Sequence, residues 1–386
     1  MITIFTPVYN RAYIIENLYE SLIRQTCKEF EWIIVDDGST DGLQSLVTQW
    51  NEQEYRGFPI IYLHQENGGK HKACNHAVRE AKGEAFFFVD SDDILSDDAI
   101  EKVCLWWKEI AGDDRFAGVS GLRAYLNTAR TICGRISEGK YIDVSNLERE
   151  KYGVQFDLAE IYKTKYLKKY PFPEFEGENF LTEAVVWDKM AYEGLIKRIH
   201  QEVIYYSEYL EDGLTVNSEQ KFRSNPKGWG LYLSQSNLYH KWSERERFEN
   251  YFYYYCCEQR RLSDEEIAGS LSISISDLSR IQEQRERCVA NTIEKIGTKI
   301  AVYGAGNIGH MIIAVYAGTP VTVEYVLDRK EANVGIRQVN METEGLPDVD
   351  AILITPKHYQ EEIYTFLTEK TAIRLLKHNE WWAICQ

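Results

Sequence analysis

The sequence predicts an α/β protein in three segments, on three observations. Short apolar runs alternate with helical periods through the first hundred residues. A polar cluster follows each of the four runs, where a parallel sheet would line them up along one edge. The alternation restarts near Thr298, after a long helical stretch. The expected boundaries are 1–225 for a first α/β domain, 226–297 for a helical middle segment and 298–386 for a second, smaller α/β domain.

The elements follow in order. Ile2–Thr6 reads as a strand and Ala12–Arg24 as a helix, with Ile14, Ile15, Leu18 and Leu22 on its apolar face. Glu31–Val35, Ile60–His64 and Ala85–Val89 are the next strands, and Gly42–Trp50, Lys72–Ala81 and Asp97–Ile110 the helices between and after them. Their ends carry TPVYNR, DDGSTD, QENGGKHKACN and DSDD. Residues 115–216 are less regular. They suggest strands near Ala117–Leu122 and Val203–Tyr206 and a helix over Phe180–Tyr192. The middle segment is rich in tyrosine and tryptophan. Such rings could form a carbohydrate platform, but at helical spacing they favour packing.

Composition narrows the function. The chain has 386 residues, 44% hydrophobic, with a net charge of −16 and a pI near 5.1. That charge repels polyanions, so nucleic-acid binding is not expected. Met1 leads straight into a strand, without the basic and apolar regions of a signal peptide. No run reaches the roughly 18–20 apolar residues a membrane span needs. Eight cysteines without CxxC spacing read as reduced thiols. A cytoplasmic protein is expected, at most peripheral to the inner membrane face. A homo-oligomer is compatible with the sequence.

The densest chemistry is FFFVDSDD at Phe86–Asp93. Carboxylates crowded at a strand end repel one another unless a cation sits among them. Asp90 and Asp92 can hold Mg²⁺ or Mn²⁺ through oxygen, and the metal can bridge a diphosphate. Asp93 is then free for sugar hydroxyls, while Asp97 and Asp98 suit the start of the next helix. Lys70 offers positive charge to phosphates. Gly68 and Gly69 suit a tight turn, and His71 fits either a ligand contact or helix-start surface.

These motifs carry a resemblance. Thr6-Pro-Val-Tyr-Asn10, Val35-Asp-Asp-Gly-Ser-Thr-Asp41, Glu66-Asn-Gly-Gly-Lys70 with Asn75, and Val89-Asp-Ser-Asp-Asp93 are similar, in order and spacing, to glycosyltransferase family 2 with the GT-A fold. The likeness covers about 1–215. It implies a nucleotide-diphospho-sugar donor, commonly a UDP-sugar, a divalent metal and inversion at the anomeric carbon. By that resemblance Pro7 and Tyr9 line the base pocket, and Asp37 contacts base or ribose. Asp90 touches ribose or metal, and Asp92 binds metal. Asn10, Gly69, Lys70, Asn75, Ser91 and Asp93 complete the expected donor site.

Inverting transfer needs a base for the acceptor hydroxyl. The family usually supplies it from a Glu-Asp pair at a helix start. Here the stretch reads Leu181-Thr-Glu-Ala184, so Glu183 is the expected base and alanine holds the second position. Helix-dipole chemistry is the plain alternative for Glu183. Glu208, Glu211 and Asp212 are reserves, one of them a candidate third metal ligand. There is no QxxRW motif and no membrane span, the marks of processive synthases in the family. Transfer of a single sugar to a saccharide or lipid-linked acceptor in surface-polysaccharide synthesis therefore fits.

A second glycine loop, Tyr303-Gly-Ala-Gly-Asn-Ile-Gly309, follows a strand and opens a helix, and Asp328 ends the next strand. It resembles a small Rossmann-like domain, with Gly304, Gly306, Gly309 and Asp328 as a candidate nucleotide site or, on the plainer reading, a packing device. Two other functions compete with the transferase. One is a non-catalytic sugar-nucleotide-binding protein; the other is an NAD-dependent oxidoreductase using this loop.

Overall fold

The computed structural model describes residues 1–53, 57–128, 130–136, 139–207, 218–328, 335–339 and 348–385. The chain divides into two compact units, Met1–Lys241 and Trp242–Gln386.

The first unit opens with β1 (Ile2–Val8), α1 (Ile15–Ile23), β2 (Phe30–Asp36), α2 (Leu43–Asn51), β3 (Ile60–His64), α3 (Lys70–Glu80), β4 (Ala85–Phe88), β5 (Ile94–Leu95) and α4 (Ala99–Ile110). It continues with β6 (Phe116–Tyr125), β7 (Tyr141–Val144), β8 (Ala159–Lys163), α5 (Thr164–Lys169), α6 (Ala184–Tyr192), β9 (Ile196–Ser207), α7 (Ser218–Ser224) and α8 (Pro226–Tyr239). The sheet runs β3-β2-β1-β4-β8-β6-β9-β5, with β7 on β9. β1 to β4 are parallel; β8 pairs antiparallel with both β4 and β6.

The period of two in the strands builds two cores. Ile2, Ile4, Phe30, Trp32, Ile34, Ala85 and Phe87 face a layer with Leu18 of α1, Val47 of α2 and Val103 of α4. Phe5, Ile33, Val35, Phe86 and Phe88 face the other way, onto Ala73 and Ala77 of α3 and Val185 and Met190 of α6. A sheet buried on both faces explains why its strands read as unbroken apolar runs. It also leaves the carboxyl-end loops as the place where polar side chains can gather.

Helix starts differ from expectation by a few residues. α1 begins at Ile15, since Ala12 N–H donates to Asp41 at 2.7 Å within the loop. α6 begins at Ala184, and the side-chain Oδ1 of Asn225 takes the N–H groups of Asn179 and Phe180 ahead of it, at 2.8 and 3.0 Å.

The second unit holds α9 (Glu244–Glu258), α10 (Asp264–Leu271), α11 (Ile275–Lys295), β10 (Lys299–Tyr303), α12 (Asn307–Tyr316), β11 (Thr322–Leu327) and β12 (Gln338–Val339). β13 (Ala351–Ile354), α13 (Gln360–Thr368), β14 (Arg374–Lys377) and α14 (His378–Cys385) follow. Its all-parallel sheet has the order β12-β11-β10-β13-β14, outward in both directions from the first strand. Tyr251, Phe252, Tyr254 and Tyr255 of α9 are buried, so these rings pack and offer no platform. Cys288 and Cys385 are bonded to each other, against the expectation of reduced thiols throughout. They are partners from distant parts of the chain, which spacing cannot reveal. No helix among the described residues is long and apolar enough to cross a membrane.

Candidate functional site

The carboxyl edge of β1, β2, β3 and β4 gathers the four polar clusters, as the parallel sheet requires. The first two loops brace each other. Asn10, in a left-handed conformation with φ +52°, donates its N–H to Ser39 Oγ at 2.9 Å, and its Oδ1 accepts from Thr40 N–H at 2.8 Å. Pro7 is half-buried beside this brace and Tyr9 is 52% exposed. Asp36 accepts from Ser39 N–H at 2.7 Å.

Asp37 and Asn75, both expected at the donor site, also make internal hydrogen bonds. The buried carboxylate of Asp37 accepts from Gln65 Nε2 at 2.7 Å and from the N–H groups of Gly68 and Gly69 at 2.8 and 2.7 Å. It shapes the glycine turn. The Asn75 amide donates to Phe172 O at 2.8 Å and Glu174 at 2.7 Å, and accepts from Phe172 N–H at 2.9 Å. It clamps a distant segment. Gly69 meets that same segment: with φ +89°, a Cβ there would fall 1.7 Å from Asn179 O. Lys72 Nζ donates to Glu178 O at 3.0 Å. Residues 69, 72 and 75 thus form one stripe of α3 and its cap, and the stripe grips residues 172–179.

That grip delivers Glu183. Its carboxylate makes no capping bond to α6 and lies 2.9 Å from Lys70 Nζ. The same ammonium is 2.7 Å from Asp90. Arg123 Nη1 lies 3.7 Å from both Asp90 and Asp93, and its guanidinium sits 4.0 Å over the Tyr205 ring. Arg11 pairs with Asp92 at 3.1 Å. The Tyr205 hydroxyl accepts from Asp90 N–H at 2.9 Å and donates to Asp93. Ser91 is buried between them in sequence. Four carboxylates, Asp90, Asp92, Asp93 and Glu183, therefore meet three cations, Arg11, Lys70 and Arg123, and negative charge is left over.

Titration follows from these neighbours. Burial works against the Asp90 anion, yet Lys70 and Arg123 hold its pKa below the ordinary carboxylate value. Burial and the Asp90 charge push Asp93 up to about 7, and they raise Asp92 as well. Burial opposes the Lys70 ammonium, but Asp90 and Glu183 outweigh it and keep the lysine charged. His71 is buried rather than surface, with Nδ1 unpartnered, and burial with Lys72 nearby pushes it down to about 4.

Arg11, Arg123 and Tyr205 are partners that the motifs did not single out. Arg11 stands in the TPVYNR cluster. Arg123 follows the expected strand over 117–122 by one residue, and Tyr205 lies in an aromatic run with no local signal. Glu208, Glu211 and Asp212 lie outside the described residues. Among those described, Cys27, Glu29 and Cys104 are the one triad of metal-type ligand atoms within 4.8 Å of one another.

In the second unit, Asp328 accepts from Ala305 N–H at 2.8 Å, so its carboxylate holds the glycine loop. A Cβ on Gly309 would meet Gly304 O at 2.1 Å, and Gly304 has φ +98°. Gly306 is the residue before α12. Gly304 and Gly309 allow close packing of loop and helix, whereas a Cβ on Gly306 would meet nothing within 4 Å.

The doubly covered sheet and its charged carboxyl edge define an α/β domain of the GT-A type. Residues 3–168 match the glycosyl transferase family 2 model. A glycosyltransferase, GlyG, of Streptococcus pneumoniae serotype 4 is 38% identical over 102 residues, covering 26% of this chain and 33% of that protein. A poly(ribitol-phosphate) beta-glucosyltransferase of Bacillus spizizenii is 33% identical over 123 residues, 31% of this chain and 19% of its own length. The chain thus spans a third or less of either relative. The S. aureus TarS 1–349 crystal structure in complex with UDP-GlcNAc superposes with a TM-score of 0.49 at 18% identity. That match covers 82% of this chain and 92% of TarS 1–349, a likeness too low for anything at the site to be read from it.

Proposed function

We propose that the chain is an inverting, metal-dependent glycosyltransferase. It moves one sugar from a nucleotide-diphospho-sugar, with UDP as the first candidate nucleotide, to a saccharide or lipid-linked acceptor in surface-polysaccharide synthesis. The observation that carries this reading is Lys70, whose ammonium joins the Asp90 carboxylate, inside the stretch that matches family 2, to Glu183 beyond it. The name of one relative, a poly(ribitol-phosphate) beta-glucosyltransferase, supports a surface-polymer acceptor.

The donor set suits a hard divalent cation. Asp90 and Asp92 offer carboxylate oxygens, and the surplus negative charge of the cluster favours one. Mg²⁺ or Mn²⁺ held there would neutralise charge on the departing diphosphate. The chain's own groups do the rest. The acceptor oxygen attacks the anomeric carbon while Glu183 takes its proton. The bond from that carbon to the diphosphate oxygen breaks, its electron pair leaves with the diphosphate, and the centre inverts. Lys70 is placed to turn towards the diphosphate, which frees the Glu183 carboxylate for the proton.

Calorimetry of UDP, GDP and CDP with and without Mn²⁺, on wild type and Asp92→Asn, tests the donor half. Metal-dependent binding of one nucleotide, lost in the variant, is expected; no binding of any would end the proposal. Glu183→Gln should lower turnover roughly 10²–10⁴-fold with nucleotide affinity little changed. A near-normal turnover number would remove Glu183 from the mechanism.

A further inference from the structure

Phe156 combines two unfavourable choices at one residue. It is a bulky side chain in the left-handed region, at φ +56°, and it is 66% exposed. A lone exposed aromatic is ordinary. A β-carbon-bearing ring held in strained backbone is not, and glycine or asparagine would relieve it. The loop has no freedom to relax. Val154 and Leu158, on either side, are buried in a cluster with Leu122, Cys133 and Ile199. Gln155 N–H donates to Cys133 O at 2.9 Å.

The loop also touches the charged cleft. Leu158 O accepts from Arg123 Nε at 2.9 Å, and the same guanidinium reaches Asp90 and Asp93. Asp157, the residue after Phe156 in the chain, feels the charges of Arg123, Glu183, Lys70 and Asp90. The strained, exposed ring therefore sits two residues from the carbonyl that holds Arg123, on a loop that borders the charged cleft. Strain kept at such a place points to function. A rigid aromatic contact is also made at low entropic cost.

We propose that Phe156 is the acceptor platform, stacking on the apolar face of a pyranose ring. This rests on the transferase reading above. The test uses the full chain, saturated with UDP and Mg²⁺, in saturation-transfer NMR with methyl β-glucopyranoside and with ribitol as an open-chain control. Ring-face protons of the pyranoside should receive saturation in wild type and in Phe156→Trp, and lose it in Phe156→Ala and Phe156→Gly. Ribitol should respond weakly in all four. UDP affinity by calorimetry should be the same in every variant, and Phe156→Gly should melt at an equal or higher temperature. If UDP binds but the pyranoside signal is missing in wild type, or survives in Phe156→Ala, the platform is overturned. If no nucleotide binds, the transferase reading fails first and takes this one with it.

Discussion

Asp93 shows how one side chain records the state of the cleft. Its carboxyl titrates near 7 in the folded free protein because burial and Asp90 disfavour the anion. Unfolded, it titrates near about 3.9. Between those values the folded chain holds a proton that the unfolded chain has released. The contribution of this group to stability is therefore full below about pH 4 and lost as pH rises to about 7. Asp90, held below its ordinary value, works in the opposite sense: its contribution is present at neutral pH and fades on acidification. Urea unfolding from pH 5 to 8 should show wild type losing stability relative to Asp93→Asn as pH rises. Parallel curves would mean that Asp93 is ionised throughout. Saturating divalent cation and nucleotide should flatten the difference, because added positive charge favours the anion.

At the scale of elements, the grip of α3 on residues 172–179 explains why a motif near residue 70 matters to a base at 183. Asn75→Ala should cost about 2–3 kcal/mol in urea unfolding, since it strips partners from the buried Phe172 backbone. It should lower turnover more than nucleotide affinity. Affinity falling with turnover intact would return Asn75 to the donor pocket. The same comparison shows where sequence reasoning stops. β1, β2, β3 and β4 were legible because strands buried on both faces are almost wholly apolar. β8 was not, since AEIYK carries Glu160 and Lys163. Those charges are affordable only through distant partners: Glu160 pairs with Lys197, and the Lys163 ammonium donates to Ile110 O at 3.0 Å and Asp113 O. Asp90, Asp92 and Glu183 could be picked out from motif and chemistry. The internal duties of Asp37 and Asn75 could not, because each is set by contacts about 30 to 100 residues away in the chain, as between Asp37 and Gly68 or Asn75 and Phe172.

At the scale of the whole molecule, two units each have a sheet and a core. A chain ending at Lys241 should fold and bind nucleotide with an affinity within about threefold of the full chain, as expected of an autonomous domain. Circular dichroism and calorimetry on that fragment would check it, and an unfolded or non-binding product would tie the donor site to the second unit. In the second unit Asp328 accepts a hydrogen bond from the glycine loop, which ties the end of β11 to the start of α12.

The grip on the base has one more consequence, for the order in which the protein is made. Residues 172–180 are held from both directions along the chain: by α3, synthesised earlier, and by Asn225 and α8, synthesised later, where Glu178 takes the N–H groups of Lys227 and Gly228 at 2.7 and 2.9 Å. A ribosome adding about 5–20 residues per second releases the aspartates many seconds before it releases α8. Through that interval the segment leading to Glu183 is held by α3 alone.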